Sequence, residues 1–242
     1  MKKELNTIFN TENRDHVNTK MFLDESGNVG TARFDTFNKN HKFLDTHSSR
    51  QTSFFWVPEE IDLSRDRADF ASLTPGEQHI FTSNLKRQIV LDSVQGRAPG
   101  MTFLRVASSP ALENFVETWQ YFESIHSKSY TWILRNSFSD PSIVFDQMLD
   151  IQEITDCVED ITKYYQDVYN KITLWEAQQL TGQDLGVTLY DVKRALWLAL
   201  MSVNILEGVR FYVSFACSWS FAEQASAKMV GNASIIKLIC RD

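Results

Sequence analysis

The sequence has little cysteine, little proline in its second half and no excess of basic charge. Cys157, Cys217 and Cys240 are its three cysteines, widely spaced and without a CxxC or Cys/His pattern. That excludes a disulfide framework and a thiolate metal knot, and it fits free thiols in a reducing cytoplasm. Net charge is −7, which excludes the basic face that nucleic acid requires. The first residues, MKKELNTIFN, carry two lysines but no apolar core, so no secretory signal is expected. None of the five prolines follows Pro141, which leaves the last hundred residues free to form long helices. Low-complexity runs and internal repeats are also missing.

One long apolar run, Ala195 to Ala222, is long enough to span a bilayer and carries only Glu207 and Arg210 as charges. Those charges and Asn204 fall at its middle, where lipid disfavours them, and no second such span exists. The run is therefore read as a helix buried in a bundle, with no membrane contact.

Proline and glycine punctuate the rest. Thr74, Pro75 and Glu77 form a capping box with proline at the first helical position, opening a helix that runs to Gln95 and stops at Gly96. Ser109 and Pro110 open a second helix, reaching Ser137 before SDP. A third is expected from Ile151 to Leu180, ended by TGQDLG, and a fourth from Thr188 to Gln224. Gly231 and Asn232 precede a last helical piece, ASIIKLICRD. Residues 1–73 read as irregular or extended structure, and 74–242 as an all-α bundle of long helices.

On the second helix, Glu123, His126 and Tyr130 share one face, since positions i, i+3 and i+7 lie within about 60° of one another. Alone, Glu123-x-x-His126 is no more than a surface hydrogen bond. Trp119, Phe122, Ile125, Trp132 and Ile133 around it point that face inward. Glu207 lies mid-way along the apolar run, where an ion pair with Arg210 competes with metal ligation. Asp92, in QIVLDSVQG, reads by itself as a solvated residue. Together these residues give three helices, each with an inward-capable carboxylate, and one histidine. That is most of the di-iron carboxylate pattern for a four-helix bundle, with hard donors suited to iron or manganese.

The runs QTSFFWVPEEIDLSRD, LDSVQGR, FVETWQYFESIHSKSYTWILRN and LMSVNILEGVRFYVSFACSWSFAE resemble the small, radical-generating subunit of class I ribonucleotide reductase. The resemblance covers about Gln51 to Asp242. It implies a ferritin-like di-iron carboxylate bundle and two iron ions, with manganese as the alternative. Asp92, Glu123, His126 and Glu207 match the family's metal ligands, and Tyr130 matches the tyrosine that holds the stable radical. Phe211, Phe215 and Ile239 match the apolar pocket that shields it. Trp56 and Asp242 match the pair that, with His126, begins the radical route to the large subunit. A homodimer, a large-subunit partner and reduction of ribonucleotides to deoxyribonucleotides follow from the same resemblance.

In the family, the run equivalent to LICRD leads at once into a second Glu-x-x-His, whereas this sequence stops at Asp242. The bundle is therefore expected to be incomplete at the C-terminus, with four of six protein ligands present. A separate C-terminal piece is the expected complement, and the chain alone is expected to be inactive. Two other functions remain open at this point. One is a metal-free fragment that binds full-length small subunits. The other is a different di-metal carboxylate oxidase.

Overall fold

The computed structural model describes Ile8, residues 19–29 and residues 39–242. Among these residues there are helices and loops but no strands. The helices are α1 Lys42–Thr52, α2 Asp66–Ala71, α3 Pro75–Gln95, α4 Ala98–Thr102, α5 Pro110–Ser137, α6 Ser142–Asp146 and α7 Gln152–Thr181. They continue with α8 Leu189–Ile205, α9 Tyr212–Ser220 and α10 Val230–Arg241. The all-α expectation holds.

The punctuation acts where it was expected to. The Thr74 hydroxyl accepts the Glu77 N–H at 3.3 Å, and the Glu77 carboxylate accepts the Thr74 N–H at 2.8 Å, so two otherwise orphaned donors at the start of α3 are satisfied. Gly96 ends α3 and Pro110 starts α5. Gly182 follows α7 with φ +72°, the left-handed conformation that glycine supplies at helix ends. Thr188 and Asp191 exchange the same reciprocal bonds at the start of α8.

Three expectations fail. Residues 1–73 are not irregular throughout, since α1 and α2 fall among them; residues 1–7, 9–18 and 30–38 lie outside the described ones. Gly231 and Asn232 do not precede the last helix but lie in its first turn. The apolar run is not buried all round. Leu189–Ser220 is long and apolar enough to cross a membrane by length and composition. Val192, Ala195, Ala199, Leu206, Phe211 and Phe215 are buried, whereas Tyr190, Trp197, Ile205, Val209 and Val213 are exposed. The run is apolar on both faces, but the described chain packs on only one of them. Between α8 and α9, Leu206–Phe211 winds as a π-helix, a wider turn that often marks functional positions.

The chain divides into two compact units, so the boundary expected at 73/74 falls inside the second. The first comprises residues 1–54, 97–121 and 162–202. Phe103 is buried between Trp119 and Tyr165, with ring centroids at 6.2 and 5.8 Å. Arg105 pairs with Glu176 and lies 4.9 Å from the Tyr169 ring centroid. Gly27, at φ +78°, offers its carbonyl to the Trp175 indole; a Cβ there would lie 2.4 Å from the Trp175 ring, so the close approach requires glycine.

The second unit comprises residues 55–96, 122–161 and 203–242. Phe70, Phe81, Phe138 and Phe221 form its aromatic cluster, including an edge-on Phe81–Phe221 contact at 5.7 Å. The Asn84 amide donates to the Ser214 carbonyl and the Ser218 hydroxyl, tying α3 to α9. All the candidate metal ligands belong to this unit.

Candidate metal centre

Asp92 comes from α3, and Glu123 and His126 from successive turns of α5. All three side chains are buried, and one ligating atom from each lies within 4.8 Å of the others. His126 Nδ1 is 3.3 Å from Glu123 Oε2, and its Nε2 is 3.3 Å from Asp242 Oδ2. The Trp56 indole donates to the same Asp242 oxygen at 2.7 Å. Trp56, Asp242 and His126 thus form one continuous hydrogen-bonded chain.

Glu207 stands apart from the group of three. Its Oε1 accepts from Gln95 Nε2 at 2.5 Å, and it sits in the π-helical turn. The competing ion pair with Arg210 is not formed; that guanidinium binds Asp160 and the Cys157 carbonyl. Sequence reading missed Gln95. Its only signal was its position, three residues after Asp92 on the same helix face.

The electrostatics show what the cluster lacks. Burial, then the Glu123 charge, pushes the Asp92 carboxyl well above the usual range. Burial and Glu123 likewise raise Glu207 to about 7, against the opposing pull of the Gln95 bond. Burial alone would lower His126, but the Asp242 and Glu123 carboxylates outweigh it and push the imidazole up to about 10. Asp92 Oδ2 is buried with no hydrogen-bond partner. Carboxylates crowded out of water, one with an orphaned oxygen, form a site short of positive charge. The donor set of carboxylate oxygens and one imidazole fits iron or manganese.

Tyr130, one turn beyond His126, is buried with its hydroxyl beside the Asp92 carboxyl. Burial first, and the Asp92 charge second, hold its phenol well above its normal pKa, so it stays protonated. Phe211, Phe215 and Ile239 are buried in the same unit, and the two phenylalanine rings stack at 5.7 Å.

The fold and the cluster define an all-helical protein with a buried carboxylate–histidine group that could hold a metal ion. The sequence model described as "Ribonucleotide reductase, small chain" matches residues 33–242, and the chain belongs to that family. It is 46% identical over 241 residues to the ribonucleoside-diphosphate reductase subunit beta of Haemophilus influenzae, covering 98% of this chain and 62% of that protein. It is 41% identical over 251 residues to the corresponding subunit of Enterobacteria phage T4, covering 98% of this chain and 63% of the phage protein. Among solved structures, the ribonucleotide reductase R2 subunit from Clostridium botulinum matches 100% of this chain and 68% of its own, at 26% identity and a TM-score of 0.77. The chain thus spans somewhat less than two thirds of the length of its curated relatives, 62% for the Haemophilus protein.

Proposed function

We propose that this chain serves as the radical-generating small subunit of a ribonucleoside-diphosphate reductase, acting in reduction of ribonucleotides to deoxyribonucleotides in the cytoplasm. The observation that carries this reading is the buried Asp92–Glu123–His126 cluster, one helical turn from a buried tyrosine whose hydroxyl faces Asp92. Asp92, Glu123, His126 and Glu207 hold the metal, two iron ions or manganese in their place. When bound, the metal supplies the oxygen-dependent one-electron oxidation that a phenol in a dry site requires.

The chain's own residues do the rest. Tyr130 keeps its proton in the resting state, because burial and Asp92 oppose its loss. Phe211, Phe215 and Ile239 exclude water and reductants from the resulting radical. Trp56, Asp242 and His126 carry the oxidising equivalent towards a large subunit through their hydrogen bonds at 2.7 and 3.3 Å. In this reading the working assembly is a homodimer with a large-subunit partner.

The test is loading with ferrous ion and oxygen, followed by electron paramagnetic resonance. A tyrosyl signal that vanishes in Tyr130→Phe while iron stays bound is the expected result. Oxygen consumption that survives Tyr130→Phe would instead mark a di-metal oxidase. Absence of bound metal would leave only a binding role towards full-length subunits.

A further inference from the structure

Both ends of α10 are gripped by one stretch of chain, residues 56–72. At the C-terminal end, Trp56 donates to Asp242. At the N-terminal end, Asp66 Oδ1 accepts the Gly231 N–H at 3.1 Å, and its Oδ2 accepts the Asn232 N–H at 2.7 Å. Asp69 accepts the Met229 N–H at 3.1 Å, and Lys228 donates to the Ser72 carbonyl at 3.1 Å. Met229 occupies the N-cap position at φ 55° and offers no side-chain cap, so α2 supplies in trans the acceptors that α10 lacks. An anion there also complements the helix dipole. The contact is tight: a Cβ on Gly231 would lie 2.7 Å from the Asp62 carbonyl oxygen and 3.0 Å from Asp66 Oδ1.

We propose that Asp66 is a positioning residue for Asp242: by fixing the start of α10, it sets the height at which Asp242 meets Trp56 and His126. A helix behaves as a strut of about 1.5 Å per residue, so a displacement at its first turn arrives undiminished at its last. Asp66 lies on neither the metal nor the Trp56–Asp242–His126 chain, yet it governs the spacing of that chain. Asp62 and Asp69 are the charges facing Asp66 from its own segment, Lys228 binds the same segment, and the first turn of α10 presents backbone N–H groups to it. The inference concerns placement; its weight in catalysis rests on the function proposed above.

Indole N–H resonances in a 1H–15N spectrum of the metal-free chain report both ends of the strut. Trp219 donates to the Ala233 carbonyl and reads the near end, while Trp56 reads the far end. In Asp66→Asn, both resonances are expected to move, Trp56 towards the position of an indole with a weakened hydrogen bond. Trp119 and Trp175, in the other unit, are expected to stay. Movement of Trp219 with Trp56 unmoved would overturn the proposal, because Asp66 would then act only locally. If Asp66→Asn fails to fold, Asp69→Ala weakens the same grip at one bond, and smaller shifts of the same two peaks are expected; an unmoved Trp56 again overturns it. Loss of turnover in Trp56→Phe tests the electron route separately, so either idea can fail alone.

Discussion

Asp66 and Asp92 are both buried aspartates of the second unit, 1% and 4% exposed, and they solve the problem of a buried charge in opposite ways. Asp66 receives two backbone N–H groups from a helix start. Asp92 keeps one oxygen without a partner and has Glu123, Glu207 and the His126 imidazole as its charged neighbours. One carboxylate is part of the scaffold. The other carries a charge that burial and two neighbouring carboxylates oppose. The same residue type, at similar depth, is thus held by backbone N–H groups in one place and is a candidate metal ligand in the other.

The comparison predicts substitutions of opposite sign. The largest expected effect is on metal affinity: Asp92→Asn should weaken ferrous or manganous ion binding by a hundredfold or more, about 3 kcal/mol, as titration calorimetry would read it. Undiminished affinity would remove Asp92 from the site. Next comes Gly231→Ala, which forces a Cβ against the Asp62 carbonyl and should cost about 2–3 kcal/mol in denaturant unfolding. Gly208→Ala is its control, with open space around it, and should be close to neutral. Asp66→Ala orphans two buried N–H groups and should cost about 2 kcal/mol, lowering Tm by roughly 4–8 °C. Asp92→Asn in the metal-free chain should instead raise Tm by about 2–4 °C, because it relieves a buried repulsion worth about 1 kcal/mol. Equal signs for the two aspartates would break the comparison.

Asp66 also predicts a pH dependence. Burial raises Asp66 to about 6, outweighing the two N–H bonds, with Asp69 and Asp62 adding to the rise. The folded chain therefore holds a proton there that the unfolded chain has released. The resulting stability is complete below the unfolded pKa of 3.8 and is lost as pH rises through about 6. The stability gap between the wild type and Asp66→Ala should widen by up to about 3 kcal/mol from pH 7 to pH 4. A gap that narrows on acidification would show that the N–H bonds dominate.

The long helices were legible because their signals are local. Thr74-Pro75, Gly96, Pro110 and Gly182 each act on the backbone within a turn of their own position. The nearness of Glu123 and His126 was legible for a related reason: it needs only helical spacing. Asp92 became convincing only in company with them. What stayed hidden is non-local. Asp66 sits in LSRDRADF, which reads as a solvated charge run, and its partners lie 165 and 166 residues away. Helix α1 opens at His41 without a side-chain cap, and its sequence, KFLDTHSSRQT, is short of apolar residues. The exposed face of α8 and α9 could not be foreseen from hydropathy, which counts apolar residues but not their neighbours.

The π-helical turn at Leu206–Phe211 sets a rule for how this chain tolerates change in length. A π turn holds one residue more than an α turn, so deleting Gly208 there would restore a regular helix with the downstream register kept. The same deletion just after Phe211, in regular α-helix, would swing everything downstream by about 100° around its axis. Phe215 and Ser218 would then leave the buried face. A single-residue deletion should therefore be tolerated inside the wide turn and disruptive immediately beyond it.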